Sequence, residues 1–161
     1  DPRTLTPTMQ QPLENLLTPE RTACKVPGIS KKRIFETIAR MISTDQISLG
    51  YDEVFTQLIA REKLGSTGLG QGIAIPHCRI GNCTQPLGTL VTLDQAIDFD
   101  APDGQPVDLV FALLVPEDAH QKHLDTLAQI ARCFSQPQYC QRLRAAPDKG
   151  SLFQAATSQA D

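Results

Sequence analysis

Leu109-Val110-Phe111-Ala112-Leu113-Leu114-Val115 is apolar at every position, and no other stretch constrains the fold of this chain as strongly. A strand with one wet face alternates apolar and polar side chains. An unbroken aliphatic run has no wet face and reads as a central strand covered on both sides. Pro116 follows and stops it. Two layers of helix are therefore required, one for each face of the sheet.

The remaining sequence supplies them. Ser30 stands as an N-cap before Ile34, Ile38, Met41 and Ile42, whose helical spacing carries to about Asp45. Asp52 opens a second helix, with Val54, Phe55, Leu58 and Ile59 on its apolar side, Arg61 to Lys63 in its last turn and Gly65 as its end. Glu117 and Asp118 begin a third, in which Leu124, Leu127, Ala131 and Phe134 recur at intervals of 3, 4 and 3. Shorter helices are expected at 138–145 and 151–156. Strands are expected at 21–26, 73–75, 87–93 and 108–115, with turns at Pro27-Gly28 and Pro102-Asp103-Gly104. The result is an α/β domain with helices on both sides of a sheet.

A chain of 161 residues fits one such domain. We take it to span 9–161, starting at Met9. Residues 1–8 read as an expression remnant or a disordered terminus. A net charge of −3 argues against a nucleic-acid surface, which usually carries a basic excess. No apolar run approaches the roughly 18 residues of a membrane span. The opening residues are polar and proline-rich, unlike a secretory leader. Five scattered cysteines, with no CxxC pair, read as reduced thiols in the cytoplasm. The basic trio Lys31-Lys32-Arg33 reads as a solvated face or as a contact for an acidic partner.

Chemistry concentrates in Gly65-Ser66-Thr67-Gly68-Leu69-Gly70-Gln71-Gly72-Ile73-Ala74-Ile75-Pro76-His77. The loop follows a helix and opens a strand, the reverse of a dinucleotide fingerprint, and it lacks the Lys-Ser or Lys-Thr of a Walker loop. It is either an ordinary connector or a cradle of backbone N–H groups for an anion. Ile75-Pro76 stiffens the backbone before His77. An imidazole held there, one nitrogen fixed by a hydrogen bond and the other facing outward, is equipped to receive a phosphoryl group. His123, in the helix after the apolar strand, meets His77 if their strands run parallel, and Arg61 adds a cation near an anion site. His77, His120 and His123 also permit a zinc site with an open position, although no carboxylate is evident to orient their rings.

Leu69-Gly-Gln-Gly-Ile-Ala-Ile-Pro-His-Cys78 resembles the active-site motif of the type-2 EIIA domains of the bacterial phosphoenolpyruvate-dependent phosphotransferase system. So do 61–68, 99–109, 112–116 and His123-Leu124, in order and with their spacing, across about 16–156. The form of Ser66 to Gly72 is similar to the nitrogen-regulatory branch. The resemblance implies a mixed, mostly parallel sheet sandwiched between helices, with His77 as phosphoryl acceptor. It implies site roles for His123 and Arg61, a phosphate-binding segment at Ser66, Thr67 and Gly68, and neither metal nor cofactor.

It also implies a relay. An HPr-like phosphocarrier of the nitrogen type donates to His77, and the phosphorylation state is read by regulatory targets such as potassium-transport or sensor-kinase proteins. The alternative is a fructose- or mannitol-type EIIA that hands the group to an EIIB domain. Neither nucleic acid nor membrane insertion enters this scheme. Leu69 and Ile80 are candidates for an apolar docking rim, and Cys78 reads as a small strand residue.

Overall fold

The computed structural model describes residues 12–118 and 121–158. After short 3-10 turns at Pro12–Asn15 and Pro19–Arg21, the chain runs β1 (Thr22–Val26), α1 (Lys31–Asp45), α2 (Tyr51–Leu64), β2 (Gly68–Gly70), β3 (Ile73–Ala74), β4 (His77–Ile80), β5 (Leu87–Ile97) and β6 (Val107–Pro116). Helices α3 (Gln121–Phe134), α4 (Pro137–Ala145) and α5 (Lys149–Thr157) follow. Residues 1–8, the segment read as a remnant or loose terminus, lie outside the described residues.

The six strands form one sheet in the order β1-β5-β6-β3-β2, with β4 also paired to β6. The β1–β5, β3–β6 and β4–β6 pairings are parallel, whereas β5–β6 and β2–β3 are antiparallel. The sheet is thus mixed, with the apolar run at its centre. Strand alternation divides that run between two cores. Val110, Ala112 and Leu114 face Ile34, Phe35, Ile38, Ile42, Val54 and Leu58 of α1 and α2. Leu109, Phe111, Leu113 and Val115 face Ile130, Phe134, Tyr139, Leu143 and Leu152 of α3 to α5.

Local signals account for most boundaries. Ser30 caps α1, its side chain accepting from the Arg33 amide at 3.2 Å. Gly65 ends α2, its amide bonded to the Glu62 carbonyl. Arg21, expected in the first strand, instead closes the preceding turn as a buried guanidinium. It donates to the Leu16 and Gly88 carbonyls at 2.8 and 3.0 Å and to Asp45 at 2.5 Å. The helix expected from Glu117 begins at Gln121. Leu124 is 57 % exposed, so the stripe that meets the sheet runs through Leu127, Ile130 and Phe134 rather than through Leu124.

The segment around Pro76 sets the site. Ile73 pairs with Leu109 and Ala74 with Val110; beyond the proline, His77 pairs with Leu113 and Cys78 with Leu114. The interval between partners is the same on both sides, so β3 and β4 are one strand in constant register, interrupted where proline has no N–H to offer. The Pro76 carbonyl still accepts from the Leu113 amide at 2.8 Å. His77 therefore opens β4, where the sequence suggested the close of a strand.

Candidate functional site

The short β3–Pro76–β4 path delivers His77 half-buried, with Nδ1 2.9 Å from the carbonyl oxygen of Ile75. A carbonyl only accepts, so Nδ1 carries the proton and Nε2 holds the lone pair. Burial lowers the pKa of the ring from its ordinary 6.5. The Ile75 carbonyl opposes that shift, the Arg61 charge adds to it, and the Glu62 charge opposes it. The neutral, nucleophilic form is the one present at pH 7.

His77 opens onto a cleft of about 630 Å³ between the end of α2 and β4. Gln57, Ala60, Arg61 and Leu64 line one wall, and Arg79, Gly81 and Glu117 line the other. Arg61 reaches back to the Gly65 carbonyl with Nη1 at 2.9 Å. That bond uses one of the five N–H donors of a guanidinium. Positive charge at this end of α2 also suits the helix dipole. Leu64, 85 % exposed, supplies an apolar edge to the cleft.

The glycine-rich segment has a different geometry from a cradle of N–H groups. Gly68 pairs with Ala74 and Gly70 with Ile73, a hairpin whose two turn residues, Gln71 and Gly72, have φ of 59° and 83°. Positive φ at both positions is what a tight two-residue hairpin turn requires. The turn is tied down by Asp103, which accepts from the Gln71 amide at 2.8 Å, and by Arg144, which donates to the Gln71 carbonyl at 2.8 Å.

The hydroxyls of Ser66 and Thr67 and the amides of Thr67 and Gly68 already have partners within this assembly. Ser66 Oγ donates to the Phe99 carbonyl at 2.6 Å and accepts from the Gly68 amide at 3.1 Å. Thr67 gives both its amide and its hydroxyl to Glu62, at 3.2 and 2.6 Å. A phosphate reaching this segment must compete with those bonds.

Glu62 is the feature sequence reasoning missed. It is 8 % exposed, in the last turn of α2, where a carboxylate opposes the helix dipole. Lys31 Nζ neutralises it at 2.8 Å and sits 5.0 Å from the Phe99 ring centre. Lys31, read earlier as solvated or as a partner contact, is thus an internal counter-ion.

The sequence asked that the strands of His77 and His123 run parallel, and β4 and β6 do. His123 falls in the first turn of α3, the helix after β6; its side chain, like all of His120, lies outside the described residues. Of the expected docking rim, Leu69 is 50 % exposed, whereas Ile80 at 1 % belongs to the core beneath α1 and α2. Cys78 is buried as well, and desolvation pushes its thiol up to about 12.

A family model described as phosphoenolpyruvate-dependent sugar phosphotransferase system, EIIA 2, matches residues 15–158. The chain belongs to the EIIA 2 family. This EIIA 2 chain is 49 % identical over 142 residues to the nitrogen regulatory protein of Pseudomonas aeruginosa, an alignment covering 88 % of this chain and 92 % of the relative. It is 44 % identical over 146 residues to the nitrogen regulatory protein of Escherichia coli K12, covering 90 % and 89 %. The crystal structure of nitrogen regulatory protein IIA-Ntr from Neisseria meningitidis matches with a TM-score of 0.83 and 39 % identity, over 90 % of this chain and 99 % of that one. Membership in EIIA 2 gives the chain a phosphotransfer role between phosphocarrier partners. Among the described residues no helix is long and apolar enough to cross a membrane.

Proposed function

We propose that this EIIA 2 chain is the nitrogen-branch phosphocarrier, accepting a phosphoryl group on Nε2 of His77 from an HPr-like protein of the nitrogen system. The observation that carries the reading is the bond from His77 Nδ1–H to the Ile75 carbonyl, which leaves Nε2 as the nucleophile beside Arg61 in an open cleft. The relatives at 44–49 % identity, named nitrogen regulatory proteins, favour this branch over a sugar-transport EIIA.

In the transfer, the Nε2 lone pair attacks phosphorus in line with the phosphohistidine of the donor. The new N–P bond forms as the old one breaks, and the departing electron pair returns to the donor imidazole. Little covalent assistance is required; positioning and neutralisation of the phosphoryl oxygens dominate. Arg61 meets the negative charge, with His123 as a second contributor from α3. The Ile75 carbonyl stabilises the positive charge that the phosphorylated ring acquires, because Nδ1 keeps its proton. Ser66, Thr67 and Gly68 act by framing this site, and Ser66 and the amides join the phosphate where it displaces their loop partners. No metal enters this scheme. Regulatory targets, a potassium-transport or sensor-kinase protein among them, then read the phosphorylated and free forms in the cytoplasm. Residues 9–161 make up the working domain.

Incubation with phosphoenolpyruvate and the upstream relay proteins tests the reading. Acid-labile phosphate is expected on the wild type and not on His77→Ala; abundant phosphohistidine in His77→Ala overturns it. Efficient onward transfer to a fructose- or mannitol-type EIIB domain would place the chain in the sugar branch instead.

A further inference from the structure

A continuous set of hydrogen bonds runs from α1 to the ring of His77. Lys31 Nζ lies 2.8 Å from Glu62 Oε2. Glu62 accepts the Thr67 hydroxyl at 2.6 Å through Oε1 and the Thr67 amide at 3.2 Å through Oε2. The Thr67 carbonyl accepts from the Ile75 amide at 3.0 Å, and the Ile75 carbonyl accepts from His77 Nδ1 at 2.9 Å. The Thr67 bond fixes the plane of the Ala74–Ile75 peptide, and the Ile75 carbonyl lies one plane further on, across a residue that Pro76 holds in extended geometry.

The burial of Glu62 gives this chain of contacts its meaning. A carboxylate removed from water at the negative end of a helix is unfavourable twice over, through desolvation and through the dipole. A glutamine or a leucine at 62 would avoid both costs if the site served packing alone. A local departure of this kind belongs to a functional arrangement more often than to a purely structural one. The carboxylate grips two donors of one residue, and that residue anchors the amide of Ile75, whose carbonyl, one peptide further on, orients the acceptor imidazole.

We infer that Glu62 and Thr67 are positioning residues for phosphoryl transfer: through Ile75 they hold the His77 ring in the tautomer and orientation that present Nε2 to the cleft. Neither touches the phosphoryl group; both act through the Ile75 carbonyl. This rests on His77 being the acceptor, but the state of the unphosphorylated ring tests it independently of transfer.

The decisive pair is Thr67→Val, which removes the hydroxyl and keeps the bulk, against Thr67→Ser, which keeps the hydroxyl and loses a methyl. Glu62→Gln is the companion variant. It retains an oxygen acceptor for the Thr67 hydroxyl and loses the charge that holds Lys31. Nitrogen-15 spectra of the unphosphorylated wild type should show His77 with its proton on Nδ1. In Thr67→Val the Nε2–H tautomer should grow in, and in Thr67→Ser the wild-type spectrum should return.

Transfer kinetics from the phosphorylated carrier should follow the tautomer. We expect kcat to fall roughly tenfold in Thr67→Val while KM for the carrier stays within about twofold, since the docking surface is untouched. Glu62→Gln should fall between Thr67→Val and the wild type. A folded Thr67→Val with the wild-type ring spectrum overturns the inference, whatever its rate. So does a Thr67→Ser that behaves like Thr67→Val, since packing rather than the hydroxyl would then be responsible. If Thr67→Val fails to fold, the Glu62→Gln spectrum decides in the same way, an unchanged ring overturning the inference and a shifted tautomer supporting it. Should the wild type never take up phosphate, the acceptor reading fails, and the tautomer comparison still decides the relay.

Discussion

Arg61 Nη1 donates to the carbonyl of Gly65 at 2.9 Å, so the guanidinium is braced against the end of its own helix beside the cleft of His77. The brace fixes one donor, and in the proposed transfer the rest of the guanidinium meets the oxygens arriving at Nε2. Arg61→Ala is expected to slow phosphoryl transfer about a hundredfold, the effect of losing one electrostatic contact in a transition state. Arg61→Lys should recover only part of the loss, because an ammonium restores charge without the fork. Rapid-quench measurement with phosphorylated carrier checks both. Rates equal to wild type would remove Arg61 from the site.

Acid should silence the proposed acceptor without removing it. Burial, reinforced by Arg61, holds the pKa of His77 below 6.5, so the ring is neutral at pH 7 and Nε2 carries a lone pair. As pH falls through that lowered value Nε2 takes a proton and the lone pair disappears. Transfer should therefore be flat from pH 8 to neutrality and decline on the acid side below 6.5. Stability follows the same sign. Between 6.5 and the folded pKa the unfolded chain binds more protons than the native one, so this residue's contribution to stability falls as pH drops through that window. Urea unfolding across pH should show that loss in the wild type and lose it in His77→Gln.

Much of this architecture is legible in the residues because single features carry it. Seven apolar positions from Leu109 to Val115 demand cover on both faces, and Ser30 and Gly65 mark helix ends by their own chemistry. The glycine segment is less readable. Glycine with positive φ serves a hairpin turn and an anion cradle alike, and only the pairing of Gly68 with Ala74 separates them. Glu62 is not readable at all, since a glutamate in a last helical turn looks solvated until Lys31 and Thr67 are brought to it from other elements. Leu124 misleads for a related reason: helical spacing assigns a stripe, but the sheet decides which residues of that stripe it covers.

Arg21 ties the amino-terminal turn to the sheet and to α1. Its side chain is 6 % exposed, and it serves the Leu16 carbonyl, the Gly88 carbonyl and Asp45 at once. Asp45 is held below the usual carboxylate range, first by the Gln46 side chain and then by Arg21. Arg21→Met keeps much of the bulk but takes the guanidinium from the Gly88 carbonyl, from the Leu16 carbonyl, which keeps the Gly88 amide, and from Asp45, which keeps Gln46. A loss of about 3 kcal/mol is expected in chemical denaturation. Because a carboxylate with a lowered folded pKa stabilises above its unfolded value, the part due to Asp45 should be lost as pH falls below 3.8 and through the lowered folded value. A loss under 1 kcal/mol at pH 7 would show that water replaces the guanidinium freely.

Cys78 adjoins His77 in sequence; it packs in the core beneath α1 and α2 and also borders the cleft of His77. Desolvation is the main cause that pushes its thiol up to about 12, and nearby Cys83 adds to the shift. Thiolate, not thiol, attacks alkylating reagents, so almost none of the reactive form exists at pH 8 in the native chain. Iodoacetamide should label Cys24 and Cys133, which are half-buried, well before Cys78, as peptide mass mapping resolves. Cys78 should react only once denaturant exposes it, and Cys78→Ala should transfer phosphate at the wild-type rate while losing stability to the cavity left behind. Rapid native alkylation of Cys78, with a parallel fall in phosphate uptake, would show that its sulfur reacts from the cleft and shares in the chemistry of His77.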